Sequence, residues 1–172
     1  MRAPAVIAFV FVAGCGGAPT ENKVERAAAL APGQWELTSE VTTFRQADRG
    51  RPSIDTPVGT RATASLCVGP GSELPTAFFA GEGYRCAYGT GTYYVRNGRM
   101  NVTLTCTREG LTGNITMSAD GTFQANSAEF RRNLRTILVS DGDVEIESRV
   151  TGRRTGDCTP DAGGTEGQNK QG

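Results

Sequence analysis

The sequence contains no histidine in 172 residues. That absence excludes Ser-His-Asp and Cys-His catalysis, histidine-ligated zinc and imidazole pH switching. No charge of either sign is in excess: 18 basic residues balance 18 acidic ones. A chain without a basic surplus has little to hold a phosphate backbone, so nucleic acid is not an expected partner. No apolar run is long enough to span a bilayer, and no Cys-X-X-Cys pair offers a redox dithiol. With 37% hydrophobic and 21% charged residues, the chain has enough apolar material to fold and falls outside the disordered range.

The N-terminus reads as an export signal: Arg2, a short apolar stretch from Ala5 to Ala13, then Gly14-Cys15. Val12-Ala13-Gly14-Cys15 resembles the lipobox of bacterial lipoproteins. That resemblance implies cleavage after residue 14, a diacylglycerol on the Cys15 sulfur and further acylation, such as palmitate, at the new amine. Two or more acyl chains would hold the protein stably at the membrane. Gly16, where an inner-membrane retention signal of enteric type has Asp, points by the same resemblance to the outer membrane, with the protein facing the periplasm. About 158 residues then remain, enough for one domain. The expected organisation is a signal peptide over 1–14, a lipid-anchored linker over 15–31, a β domain over 32–158 and a disordered tail over 159–172.

Within the domain the dominant period is two. Trp35, Leu37 and Val41 alternate with polar residues, as do Met100, Val102, Leu104 and Cys106, and again Val144, Ile146 and Val150. One apolar and one polar face per strand predicts antiparallel sheet with one wet side. Turn chemistry at Asn97-Gly98, Glu109-Gly110, Asp120-Gly121 and Asp141-Gly142 separates about eight strands, near 33–44, 60–67, 86–96, 99–107, 111–118, 122–126, 129–139 and 143–155. The predicted form is a single meander, strongly curved or a half-open barrel, with one short helical turn in 70–79. Phe78-Phe79 is expected to fold over the sheet as a core plug, and 46–59 to form an exposed excursion.

Cys67, Cys86, Cys106 and Cys158 lack zinc-ribbon spacing, and an exported chain makes disulfides the default. Eight alternating strands would bring all four sulfurs to one rim. A two-residue Asn97-Gly98 loop puts Cys86 opposite Glu109, out of register with Cys106 unless a bulge intervenes. The favoured pairing is therefore Cys67–Cys86 with Cys106–Cys158, although sequence alone leaves three pairings open.

Pro32-Gly33-Gln34-Trp35-Glu36-Leu37, Leu66-Cys67-Val68, Arg85-Cys86, Leu104-Thr105-Cys106 and Gly152-Arg153-Arg154-Thr155-Gly156-Asp157-Cys158 together resemble, in order and spacing, an exported bacterial family catalogued as domain of unknown function 3617. The resemblance covers about 125 residues and implies an exported, cysteine-bridged β domain. It supplies no activity, cofactor or catalytic residue.

No constellation for chemistry stands out, so no catalytic residue, metal ligand or cofactor is assigned and the chain is not expected to be an enzyme. Asp143, Glu145 and Glu147 share a polar strand face. Arg131, Arg132, Arg135, Arg153 and Arg154 read as a basic stripe paired with nearby acids. Tyr84, Tyr88, Tyr93 and Tyr94 read first as core. If they instead lined a cavity of roughly 300 Å³ or more, the curved sheet would bind a small apolar ligand. A solid core with an exposed apolar patch or sheet edge would favour an envelope-maintenance or protein-interaction role. An uncharacterised enzyme ranks third.

Overall fold

A computed structural model describes residues 29–158 apart from Ser72 and Asp141. The signal peptide, Cys15, nearly all of the linker and the tail over 159–172 lie outside the described residues. The period-two segments form seven strands: β1 (Gly33–Gln46), β2 (Arg61–Val68), β3 (Tyr84–Arg96), β4 (Arg99–Arg108), β5 (Gly113–Gln124), β6 (Ser127–Leu138) and β7 (Val144–Gly156). One four-residue helix, α1 (Ala77–Ala80), precedes β3.

All neighbours are antiparallel, in the order β2-β1-β7-β6-β5-β4-β3. The sheet is one open meander whose break falls between β2 and β3. Asn97 and Gly98, both at positive φ (54° and 72°), make the expected two-residue hairpin between β3 and β4.

The strand count differs from the expected eight because Asp120-Gly121 is not a turn. β5 runs straight through it, with Gly121 paired to Met100 on one side and Phe130 on the other. A Cβ on Gly121 would lie 2.5 Å from the Phe130 Cα. The glycine therefore answers a close approach of backbones, not a reversal.

Losing one reversal moves the cysteines. With only β5 and β6 between them, β4 and β7 run in opposite directions, so Cys106 and Cys158 lie at opposite ends of the sheet. β2 and β3 run in the same direction, so Cys67 at the end of one and Cys86 near the start of the other are likewise far apart. Neither the single rim nor the pairing Cys67–Cys86 with Cys106–Cys158 is found. The bridges are Cys67–Cys158, with Cα atoms 5.5 Å apart, and Cys86–Cys106, with Cα atoms 4.1 Å apart.

Each bridge has a local cause. In β3 the register slips between Tyr88 and Tyr93, where Gly89-Thr90-Gly91-Thr92 bulges outward. The extra residues realign the strand so that Cys86 falls directly opposite Cys106. At the other end Cys67 and Gly156 both pair with Gln34 from opposite sides. Cys158, two residues beyond Gly156, closes over the start of β1.

One face of the sheet holds the core: Trp35 and Leu37 of β1, Met100, Val102 and Leu104 of β4, Ile115 and Met117 of β5, Phe130 and Leu134 of β6, and Val144 and Val150 of β7 are all buried. The α1 pair Phe78 and Phe79, each 1% exposed, plugs this face. Phe78 lies edge-on to Trp35 at 5.6 Å and stacked on Phe130 at 6.0 Å. The excursion over 46–59 is only partly exposed: Ile54 is buried, and the Ser53 amide donates to the Gly142 carbonyl, tying the loop to the β6–β7 turn.

Candidate functional site

The tyrosines are fixed by core packing. Tyr88 and Tyr93 stand edge-to-face at 4.9 Å, and Tyr88 meets Phe79 at 6.5 Å. Their hydroxyls clamp the segment before α1: Tyr88 Oη donates to the Leu74 carbonyl (2.7 Å) and the Leu74 amide donates to Tyr93 Oη (2.9 Å). Burial pushes both phenols upward in pKa, so they stay neutral. Tyr94 faces outward, with the Arg96 guanidinium over its ring. The four do not share one cavity: Tyr94 borders a hollow of about 990 Å³ and Tyr84 one of about 180 Å³, while Tyr88 and Tyr93 border neither.

The outer face carries the charges, and most are matched across strands. Arg153 donates to Glu36, Arg149 to Glu129, Arg45 to Glu145 and Arg61 to Glu40, and Arg131 lies 3.6 Å from Asp120. Arg154 donates to the Pro32 carbonyl and to Asp157. Glu147 accepts from Thr43, and Asp143 accepts from Thr136 and the Leu138 amide. Arg45 and Asn133 hold the Glu145 carboxyl below its ordinary pKa. The acidic residues of 143–147 are thus structural, and no group of three metal-ligating side chains occurs among the described residues. Two hollows of about 990 and 370 Å³ both draw on Asp120 and Glu129, which Arg131 and Arg149 already neutralise.

Arg132 breaks this pattern. Strand alternation puts it with Ala128, Phe130, Leu134 and Thr136 on the apolar side of β6, opposite to Arg131. Its cross-strand partners are small, Ala119 and Ser148. They leave room for the guanidinium under α1, where Nη1 donates to the carbonyls of Ala80 (3.1 Å) and Phe79 (3.4 Å). No described carboxylate pairs with it, and its Nε and Nη2 donors have no partner among the described residues. Burial pulls its pKa below the ordinary arginine value, partly countered by Tyr84. Arg132 is half-buried, and the donors that no described residue takes up are not sealed from solvent.

Arg132 lines a cavity of about 180 Å³ together with Leu37, Ala64, Phe78, Gly81 and Tyr84. Ala64 belongs to β2 and Tyr84 to β3, the two unpaired edges. Only a curled sheet brings both to one cavity, so the cavity occupies the seam of the half-open barrel. Tyr84 Oη accepts from Arg108 Nη1 at 2.9 Å, which leaves its own hydroxyl proton unengaged by any described residue. The sequence grouped Arg132 with a surface stripe. Two adjacent arginines in a strand must face opposite ways, and the apolar parity of Phe130 and Leu134 already marked Arg132 as the inward one.

A family profile described as "Protein of unknown function (DUF3617)" matches residues 30–158. No curated protein and no solved structure matches the chain.

Proposed function

The chain belongs to the DUF3617 family, and from that premise we propose that it is a non-enzymatic, periplasm-facing lipoprotein of the bacterial cell envelope that binds a small, largely apolar ligand at the seam of its curved sheet. The lipobox-like Val12-Ala13-Gly14-Cys15 supports the anchor, with the outer membrane favoured by Gly16. Two disulfides suit an oxidising compartment.

The seam cavity carries the binding reading. At about 180 Å³, with Tyr84 alone of the four tyrosines, it falls short of the expected aromatic-lined cavity of roughly 300 Å³, so the reading rests on the seam and its arginine and the ligand is small. A ligand there would sit between two strand edges that no other described strand pairs. A protein-interaction role is the second reading. It is favoured by those same edges and by the exposure of Ile137 (56%) and Val139 (82%) at the end of β6.

Intact mass spectrometry of protein extracted from membranes tests the anchor: a diacylglyceryl increment at Cys15 supports it, and an unmodified mature chain refutes it. The site is tested by ¹H–¹⁵N NMR titration with six-carbon alcohols and acids. Shifts confined to the amides around Ala64 and Gly81, and lost in Ala64→Phe, support it. No shift from either class sends the function back to the exposed edges.

A further inference from the structure

We propose that the seam cavity is a monocarboxylate site, in which Arg132 takes the carboxylate of a short apolar acid; the inference rests on the binding reading above. The guanidinium has five donors in a planar fork, a geometry matched to a carboxylate. Two carbonyls of α1 occupy Nη1, and no described residue accepts from Nε or Nη2. The spare donors are half-buried and open to the cavity, so an anion that enters it can take them up in place of solvent.

The lining defines the kind of anion. Leu37, Ala64, Phe78 and Val150 give the cavity apolar walls, so the ligand has a hydrocarbon part. Arg132 is the one cation among the lining residues and the exposed Glu82 the one acid. A single guanidinium balances one negative charge, and the Glu82 carboxylate disfavours a second. A monocarboxylate therefore fits better than a phosphate dianion. Tyr84, whose hydroxyl accepts from Arg108, is the one aromatic with a polar group in the lining. About 180 Å³ equals the liquid share of roughly six water molecules, which suits an acid of four to six carbons. Small neighbours make this possible: Ala119 and Ser148 flank Arg132 across the sheet, and a side chain on Gly81 would stand 3.1 Å from its Nη1.

The test uses the full chain carrying Cys15→Ser, so that no acyl chain competes, and compares hexanoate, hexan-1-ol and inorganic phosphate. Hexanoate should shift the Arg132 Nε–H resonance and bind at least about tenfold more tightly than hexanol, as expected for one charge-assisted pairing. Arg132→Gln should bring hexanoate down to the hexanol level, and Ala64→Phe should abolish both. The ratio in the unsubstituted cavity needs no arginine variant, so misfolding of Arg132→Gln leaves the test standing. Equal binding of hexanol and hexanoate overturns the carboxylate assignment and leaves the cavity as an apolar site. Displacement of hexanoate by equimolar phosphate overturns the monocarboxylate class. Absence of binding by all three overturns this proposal together with the binding function it rests on.

Discussion

β6 presents two consecutive arginines to two different environments, and the contrast describes the molecule. Arg131 reaches across the outer face towards Asp120 at 3.6 Å, with both side chains more than half exposed. Arg132, one residue on, lies under α1 against the core, and among the described residues it hydrogen-bonds to backbone carbonyls alone. The outer face is a set of cross-strand ion pairs in water, where each pair contributes about 0.2–1 kcal/mol. The inner face is dry and interlocked by Trp35, Phe78, Phe79 and Phe130. Stability therefore concentrates on the inner face. A charge placed there has a different meaning from one outside.

The two disulfides cut across this division. Cys86 and Cys106 lie on the inner face within one hairpin, whereas Cys67 alternates with the inward Leu66 and Val68 and so lies outside. The sequence separations are 91 residues for Cys67–Cys158 and 20 for Cys86–Cys106. On the chain-entropy estimate these correspond to about 4.6 and about 3.3 kcal/mol. Replacing Cys67 and Cys158 by serine should therefore lower the unfolding free energy more than replacing Cys86 and Cys106, as read by urea denaturation. The reverse order would show that the inner hairpin, not the clasp over β1, limits stability.

The inner face should answer next. Phe78→Ala removes the ring between Trp35 and Phe130 and should destabilise by about 3–5 kcal/mol. A loss under about 1 kcal/mol would mean that α1 is a detachable cover and not part of the core. The arginine pair then isolates the effect of facing. Arg132→Met should cost about 1–3 kcal/mol, because the α1 carbonyls lose their donor. Arg131→Met should stay within about 0.5 kcal/mol. Equal effects would erase the distinction between the faces.

How much of this was legible in the sequence follows from which interactions are local. Alternation of Met100, Val102 and Leu104 against Asn101 and Thr103 is local, and the antiparallel sheet with its wet side was readable from it, as the Phe78-Phe79 plug was from its own apolar pair. Gly121 was not, because its reason is the Phe130 backbone on the next strand, and Asp-Gly has the same chemistry in a turn. The disulfide pairing failed for the same cause: it depends on β1 joining β7 and on the outward bulge of Gly89–Thr92, both set by the assembled sheet. The basic stripe was half right. Arg131, Arg153 and Arg154 meet acids as expected, while Arg132 required the parity of β6 to be applied residue by residue.

Asp48 shows that even the excursion over 46–59 is tied to the sheet by charge. Its Oδ2 accepts from the amides of Gly142 (2.7 Å) and Asp143 (2.9 Å), and Oδ1 accepts from Gly50 at 2.9 Å. The amides of Asp143 and Gly142, more than that of Gly50, hold its carboxyl below the ordinary aspartate value of 3.8. A depressed folded pKa means that the carboxylate stabilises the fold above 3.8 and that this contribution fades as pH falls through the folded value. Asp48→Asn should thus be less stable than the parent at neutral pH, and the gap in urea midpoint should close in strong acid. Glu145 titrates in the same direction but is present in both chains, so it cancels from the difference. A gap that persisted in strong acid would assign the anchoring of this loop to the shape of the side chain and not to its charge.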